Sequence, residues 1–257
     1  MGTVHHLSDD GMLINKELVQ SRFRDSLQTY DEAAIVQAEM AEHLSDLIRQ
    51  HIPQYNPRCL EIGCGSGMLS RRMPHDQIDQ YWGNDLVAES LPVIRQYRPD
   101  LHPIPGDIEQ ADLPDELDLI VSGSTFQWVQ QPEAFYQKLH RQMLPEGLLC
   151  FSTFGPENCK EIRQLTAQGL YYQPIEAYPK LMPDFELLHT EETTYTLYFE
   201  NAREVLRHIK ATGVNGLQAS MKMSELMRFQ REYQQQFQTP KGVSLTYHAI
   251  YIIAKAI

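Results

Sequence analysis

The chain has 257 residues, is 42% hydrophobic, and carries 22 Lys and Arg against 34 Asp and Glu, for a formal net charge of −12. This length and apolar content suit one large α/β domain with an ample core. The acidic balance disfavours a general nucleic-acid binder, and no apolar run approaches the roughly 18 residues of a membrane span.

Four cysteines show neither C-x-x-C pairing nor the ligand spacings of a zinc site, and lie at Cys59, Cys64, Cys150 and Cys159. Three of them fall in or beside apolar runs that look like core strands. We therefore expect buried thiols, no bound metal and a reducing, cytoplasmic location.

Two helices are predicted ahead of the first strand. Residues 1–13 look like a loose leader, and a helical pattern then runs from Asn15 to about Gln28. Tyr30 and Asp31 interrupt it, and a second helix is predicted over about 32–51. Its apolar residues recur at helical spacing, at Val36, Met40, Leu44 and Leu47.

The most informative stretch is Arg58–Leu69, in which a short apolar run breaks into glycines at 63, 65 and 67. This pattern predicts a buried strand, a tight turn and a helix over about 66–73. Glu61 then places a carboxylate at the carboxyl end of the first strand. In an open α/β sheet, ligands bind at that end.

The glycine spacing indicates which ligand to expect. A dinucleotide fingerprint is G-x-G-x-x-G, but here the third glycine comes one residue early and Met68 follows it. A carboxylate before the turn also suits a cationic ligand better than a pyrophosphate, so an NAD-dependent enzyme is disfavoured. The stretch resembles the E/D-x-G-x-G-x-G motif of class I S-adenosylmethionine-dependent methyltransferases. That resemblance implies cofactor contacts from Glu61, Gly63, Cys64 and Gly65.

Further cofactor contacts are expected at the next two strand ends. Tyr81–Asp85 is the predicted second strand, and Asp85, followed by Leu86, is placed to accept both ribose hydroxyls. A helix over about 87–97 and a strand over 101–104 follow. The resemblance implies that Asp107 accepts the adenine amino group and that Ile108 packs on the ring. It also implies that the N-terminal helices cap the pocket, with Tyr30 reaching the amino-acid end of the cofactor.

The fourth strand, Leu117–Val121, is continuously apolar, as in a parallel sheet. Its carboxyl end continues into Ser122–Val129, where we expect the transferred methyl group. Ser122 is a candidate cofactor contact, and the candidate acceptor-pocket residues are Phe126, Gln127 and Trp128, although Trp128 equally fits core packing. A helix over about 132–143 and a strand over 148–154 complete a regular alternation.

The C-terminal part is predicted to hold a helix over about 157–170, a strand over 192–199, helices over 201–212 and 224–237, and a last strand over 243–254. Asn201 can cap the third of these, and Gly213 follows it. The same helix carries a basic stripe at Arg203, Arg207 and Lys210. This stripe is either a docking site for an acidic partner or an ordinary solvated face.

Five segments together resemble the malonyl-acyl-carrier-protein O-methyltransferases of biotin synthesis, and the similarity covers essentially 14–257. They are Phe23 through Asp31, Leu60–Gly67, Phe126–Val129, Arg207–Asn215 and Leu245–His248. The expected fold is α/β and Rossmann-like, with a seven-stranded, mostly parallel sheet between helices. It has an N-terminal helical cap and a helical insertion before the last strand.

The resemblance implies one methyltransferase domain over 14–257. Within it we expect the cap at 14–53, the cofactor-binding core at 54–154, the substrate region at 155–242 and the last strand at 243–257.

The implied reaction is methyl transfer from S-adenosylmethionine to the free carboxylate of a malonyl thioester on acyl carrier protein or coenzyme A. A malonyl carboxylate is already ionised at pH 7, so no catalytic base is expected. Arg163 is the candidate cation for that carboxylate, and the basic stripe would dock the acidic carrier.

We expect a monomer without nucleic-acid or membrane partners. The alternatives are a methyltransferase for a free small acid such as trans-aconitate or for a quinone ring, and a non-catalytic S-adenosylmethionine-binding protein.

Overall fold

The computed structural model describes residues 14–27, 29–52, 57–166, 169–213 and 222–257. The predicted leader at 1–13 and the last two residues of the 207–215 segment lie outside these ranges. So does residue 28, at the end of the first predicted helix.

Eight strands form one sheet, and five of them are parallel. Along the sheet the order is β3-β2-β1-β4-β5-β8-β6, with β7 paired to β8. Strands β1 to β5 are parallel to one another, whereas β8 runs antiparallel to both β5 and β6. The strands are β1 Arg58–Ile62, β2 Gln80–Asp85, β3 His102–Pro105, β4 Leu117–Gly123, β5 Met143–Phe154, β6 Phe185–Phe199, β7 Gln238–Thr239 and β8 Gly242–Ala256.

Helices cover both faces of the sheet. They are α1 Lys16–Ser26, α2 Tyr30–Ala33, α3 Ile35–His51, α4 Leu91–Ile94, α5 Pro132–Gln142, α6 Lys160–Thr166, α7 Tyr178–Leu181, α8 Ala202–Ala211 and α9 Met223–Phe237. Five short 3₁₀ turns lie between them, over 70–72, 75–77, 88–90, 126–128 and 175–177.

Alternation along the strands divides the core into two clusters. Cys59 and Val121 belong to the cluster that packs under α3, α8 and α9, whereas Leu60 and Ile120 belong to the cluster under α5 and α7. Successive side chains of a strand point to opposite faces, so fully buried strands need apolar residues at nearly every position. This explains the continuous apolar character of β4.

The strand order places a topological switch between β1 and β4. From β1 the chain moves outward through β2 to β3, and then returns to pair β4 on the opposite side of β1. Ile62 of β1 lies beside Ser122 of β4 at this point. The loops leaving the two strands diverge here, and a crevice opens at their carboxyl ends.

The predicted fold class is confirmed, including the helical insertion of α8 and α9 before the last long strand. The sheet gains an eighth strand because the two residues of β7 pair with the start of β8. The predicted N-cap of α8 is also present. Asn201 Oδ1 accepts hydrogen bonds from the backbone N–H groups of Arg203 and Glu204, at 3.0 and 3.2 Å.

Two predicted helices are much shorter than expected. The helix expected over 66–73 is only a 3₁₀ turn at 70–72, because Gly67 has a left-handed φ of +86° and breaks the first turn of that helix. The helix expected over 87–97 divides into a 3₁₀ turn and the four residues of α4, which has a proline in its first turn. In the described part of the chain, no helix is both long and apolar enough to cross a membrane.

Replacing Asn201 by Ala should destabilise the fold by about 1 kcal/mol, because two N–H groups at the start of α8 lose their acceptor. Asn201→Ser is the matched control, since a serine hydroxyl can still cap the helix. Urea unfolding at pH 7 gives both free energies, and equal stability of the two variants would contradict a capping role.

Candidate active site

A cavity lies at the carboxyl ends of β1, β2 and β4, and α1 covers it. It contains about 1190 Å³ of empty space, open solvent at its mouth included. Its lining follows the order of the strands. Residues 106–108 after β3 come first, then residues 84–87 at the end of β2, the glycine turn after β1, and residues 123–125 at the end of β4.

The glycine turn is held against the end of β4. Gly63 and Gly65 have φ values of +70° and +53°, a region that residues with a Cβ adopt only with strain. A Cβ on Gly63 would lie 2.1 Å from Thr125 Oγ1, whereas a Cβ on Gly65 would meet only Gly63 O, at 4.0 Å. Gly63 is therefore required for packing, whereas Gly65 keeps the floor of the cavity free.

Glu61 is a buried carboxyl in the cavity wall, 1% exposed. One of its oxygens, Oε2, accepts hydrogen bonds from Ser70 Oγ and from the Tyr81 hydroxyl. Burial nevertheless outweighs these bonds and raises the pKa of Glu61 to about 7. A cation entering the cavity would offset this desolvation and restore the ionised form.

Asp85 lies at the next strand end, as predicted for a ribose contact. Its Oδ2 accepts from Gly65 N at 2.6 Å and its Oδ1 from Val87 N at 2.7 Å. These bonds fix the carboxylate against the glycine turn and leave lone pairs for two hydroxyls. Burial raises the pKa of Asp85 to about 6, so it is mostly ionised at neutral pH.

Asp107 marks the far end of the cavity, with Ile108 and Leu86 beside it. Lys16 of α1 reaches its carboxylate, with Nζ 2.6 and 2.7 Å from the two oxygens, and also contacts Glu109. The first turn of α1 is thus fastened over this end. An adenine amino group would have to share the Asp107 carboxylate with Lys16.

Aromatic side chains close the opposite end. Phe23 of α1 packs edge-to-face on Trp128, with ring centroids 5.7 Å apart, and is 6.1 Å from the ring of Tyr30. All three line the cavity. Burial raises the pKa of Tyr30 above its ordinary value, so its hydroxyl remains a hydrogen-bond donor at every physiological pH.

Nine of the ten predicted cofactor residues line this one cavity, and Trp128 lines it as well. They are Tyr30, Glu61, Gly63, Cys64, Gly65, Asp85, Leu86, Asp107 and Ile108. The structure places Ser122 outside the lining, because its fully buried hydroxyl donates to Ile62 O at 2.9 Å between the two strands.

Three predicted acceptor residues also lie outside the cavity. Phe126 packs in an aromatic cluster against Phe151, with centroids 4.7 Å apart, because the 3₁₀ turn at 126–128 directs it to the other face of the sheet. The Gln127 amide donates to Ser124 O and accepts from Thr153 Oγ1. Arg163 donates to Pro156 O and lies over a tyrosine ring in the α6 region.

The lining residues that sequence reasoning missed include Lys16, Gln37 and Thr125. Gln37 could have been noticed in the sequence, because it is a polar residue next to Val36, which lies on the predicted apolar stripe of α3. Lys16 and Thr125 could not, because their positions depend on how α1 and the loop after β4 fold onto the glycine turn.

The chemistry of this lining fits a cationic nucleoside such as S-adenosylmethionine. The Asp107 and Asp85 carboxylates lie at the positions predicted for adenine and ribose contacts, and Glu61 lies near the glycine turn, where a sulfonium charge is expected. Within the described residues, no group of three or more His, Cys, Asp or Glu side chains could hold a metal ion.

Fold and cavity together define a Rossmann-like methyltransferase. The methyltransferase domain family matches residues 60–151, which include the glycine turn. A solved structure of an S-adenosylmethionine-dependent methyltransferase from Mesorhizobium loti has the same fold. It superimposes with a TM-score of 0.53 at 16% identity, over 82% of this chain and 96% of that one.

Two curated relatives are much more similar in sequence, and both are named malonyl-[acyl-carrier protein] O-methyltransferase. The Acinetobacter baylyi protein is 40% identical over 94% of this chain and 97% of its own length. The Bacteroides fragilis protein is 41% identical over 94% of this chain, which spans only 50% of that longer relative. The chain belongs to the malonyl-[acyl-carrier protein] O-methyltransferase family.

Replacing Gly63 and Gly65 by Ala should have different consequences. Gly63→Ala should lower the free energy of unfolding by more than about 2 kcal/mol, because the new Cβ overlaps Thr125. Gly65→Ala should cost about 1 kcal/mol through its left-handed backbone and mainly reduce affinity for S-adenosylhomocysteine. Urea unfolding and calorimetric titration separate the two effects, and equal destabilisation would contradict this assignment.

The stability that Glu61 contributes to the ligand-free protein should fall as pH rises from about 4.5 to 7. The folded-state pKa of Glu61 is above its unfolded value, so the folded chain binds more protons in this interval and loses that advantage as Glu61 ionises. Glu61→Gln should remove at most about 3 kcal/mol of this pH dependence. Unfolding at pH 5 and 7.5 measures it, with exposed Glu176→Gln as the control. An unchanged pH dependence in Glu61→Gln would refute the assignment.

Proposed function

We propose that this protein uses S-adenosylmethionine to methylate the free carboxylate of a malonyl thioester carried by acyl carrier protein, an early step of biotin synthesis. The proposal rests mainly on one cavity, which has acidic side chains at the ends of the outer strands and aromatic side chains at its other end, beyond β4. The Acinetobacter baylyi relative, which is 40% identical over 97% of its own length, is named malonyl-[acyl-carrier protein] O-methyltransferase.

The cofactor would lie along the strand ends, from β3 to β4. Asp107 would accept from the adenine amino group, Ile108 would pack on the ring, and Asp85 would accept from the ribose hydroxyls. Glu61 would offset the positive charge. When bound, S-adenosylmethionine supplies a methyl group on a sulfonium, which a nucleophile displaces in line.

The acceptor would enter at the aromatic end. A malonyl carboxylate is ionised at neutral pH, given carboxyl pKa values near 4, so the site needs no general base. The work of Phe23 and Trp128 would be to exclude water, and the Tyr30 hydroxyl would orient one carboxylate oxygen. Alignment of the reacting atoms at roughly 3–3.5 Å would then supply most of the rate enhancement.

Neutral donors would hold the acceptor carboxylate. Arg163 is engaged with Pro156 O outside the cavity, and Lys16, which is the cation among the described lining residues, is paired with Asp107 at the opposite end. A neutral hydroxyl suits the reaction, because it positions the carboxylate without the strong charge stabilisation that would reduce its nucleophilicity.

The exposed face of α8 would bind the acidic carrier. Arg203, Arg207 and Lys210 are all exposed on this helix. Arg207 is bonded to both oxygens of Glu204, at 2.9 and 2.7 Å, whereas in the described part of the chain no ion pair is seen for Arg203 or Lys210. These two cations would therefore contribute most to the attraction, within a screening length of about 8 Å at physiological salt.

The direct test is release of S-adenosylhomocysteine with malonyl-acyl carrier protein, malonyl-coenzyme A and trans-aconitate compared side by side. Turnover of the malonyl thioesters, with a mass gain of one methylene, is the expected result. Turnover of trans-aconitate alone would instead assign the protein to free small acids. Binding of S-adenosylmethionine without turnover of any acceptor would refute the acceptor assignment and leave the cofactor assignment intact.

Charge reversal on α8 should act selectively on the carrier-bound substrate. The double variant Arg203→Glu/Lys210→Glu should lower kcat/KM for malonyl-acyl carrier protein about tenfold at low salt, and much less at high salt, because electrostatic steering is screened. Its kcat/KM for malonyl-coenzyme A should change little.

The matched control is Arg141→Glu/Lys180→Glu, which changes the net charge equally at two exposed positions away from α8. Equal losses in the two double variants would show a general effect of net charge. Equal losses for both thioesters would show that α8 does not distinguish the carrier.

A further inference from the structure

Two buried polar groups in the cavity wall have no hydrogen-bond partner. Gln37 is 4% exposed, and neither its Nε2 nor its Oε1 is bonded within the described structure. The hydroxyl of Ser66, in the glycine turn, is likewise buried and unbonded among the described residues. Both residues line the cavity. A buried amide without hydrogen-bond partners destabilises the folded protein. Its presence in a cavity wall therefore indicates that a ligand supplies the missing hydrogen bonds.

The position of Gln37 indicates which part of a ligand it would meet. Helix α3 packs on β4, β5 and β8. Met40, one turn beyond Gln37, lies against Ser124 at the end of β4, with Sδ 3.7 Å from the serine Oγ. Asp107 follows β3, three strand spacings away, or about 14 Å. Gln37 therefore lies at the end of the cavity remote from the proposed adenine position.

The chemistry of the two groups fits a zwitterion. An α-amino-acid end carries a carboxylate that accepts hydrogen bonds and an ammonium that donates them, and one glutamine amide offers both complements. The Ser66 hydroxyl adds a second donor, and the Glu61 carboxylate lines the same cavity. No cation is required, because the zwitterion has no net charge.

We propose that Gln37 and Ser66 bind the amino-acid end of the cofactor, with Gln37 Nε2 and Ser66 Oγ donating to its carboxylate. This inference rests on the proposed use of S-adenosylmethionine. It adds a helix of the N-terminal cap to the binding site. Through Gln37, the cofactor bridges α3 and the glycine turn.

A pair of ligands tests it without catalysis. S-Adenosylhomocysteine has the amino-acid end, whereas 5′-methylthioadenosine keeps the nucleoside and the sulfur and lacks that end. Gln37→Leu, of similar size, should weaken S-adenosylhomocysteine binding about 10-fold to 100-fold and change 5′-methylthioadenosine binding less than twofold. Ser66→Ala should show the same selectivity with a smaller loss. Calorimetric titration measures the affinity of each of the two variants for each of the two ligands.

Asp107→Asn is the control at the opposite end, because it should weaken both ligands by a similar factor. Circular dichroism and thermal unfolding verify that each variant folds, and Gln37→Met replaces Gln37→Leu if the leucine variant does not. The smaller Ser66→Ala change tests the same site independently.

The other outcomes overturn the inference in distinguishable ways. Equal weakening of both ligands by Gln37→Leu would mean that Gln37 only shapes the wall. Unchanged affinity for both ligands with a raised KM for malonyl thioester would assign Gln37 to the acceptor. Failure of the unaltered protein to bind either ligand would refute the proposed cofactor together with this inference.

Discussion

The contact between Gly63 and Thr125 is the constraint on which the site depends. With 2.1 Å between Thr125 Oγ1 and the position a Cβ would take, the loop after β4 can approach the glycine turn only because residue 63 has no side chain. This approach closes the loop onto the glycine turn beside the paired ends of β1 and β4, at the switch in strand order. The glycine turn and the loop after β4 thereby form one continuous wall of the crevice that opens there.

Burial of carboxyl groups gives this cavity its character. Glu61 and Asp85 have raised pKa values because burial removes both carboxyl groups from water. Their hydrogen bonds only partly compensate for the lost hydration. The ligand-free fold thus retains a local free-energy cost that a cationic ligand would relieve. Buried acidic groups of this kind are typical of functional sites, where binding energy offsets what folding left unfavourable.

The N-terminal helices complete the site from outside the sheet. Lys16 fastens α1 at one end of the cavity, and Gln20 donates to Leu86 O at 2.6 Å beside it. At the other end, Phe23 packs on Trp128. Because these contacts involve few buried apolar groups, α1 can separate from the sheet at a lower free-energy cost than α3, whose apolar stripe belongs to the core. This difference suits a cover that must open for exchange of ligands.

Local sequence patterns predict the alternating order of strands and helices, the glycine turn and the acidic residues at the first two strand ends. These features follow from local periodicity and from the rule that parallel strands carry ligands at their carboxyl ends. Asp85 was predictable for this reason, whereas Asp107 was identified through the resemblance to methyltransferases. The Asn201 cap was predictable because it depends only on neighbouring residues.

Which side chains after β4 face the cavity depends on how the whole chain packs. Phe126 and Trp128 are two residues apart, yet a single 3₁₀ turn directs one to the core and the other to the cavity. Sequence spacing cannot show the direction of such a turn. The same holds for Arg163, whose guanidinium is captured by a nearby carbonyl, and for Lys16, which meets Asp107 across 91 residues of chain. These contacts depend on how separate elements pack, and no local pattern encodes them.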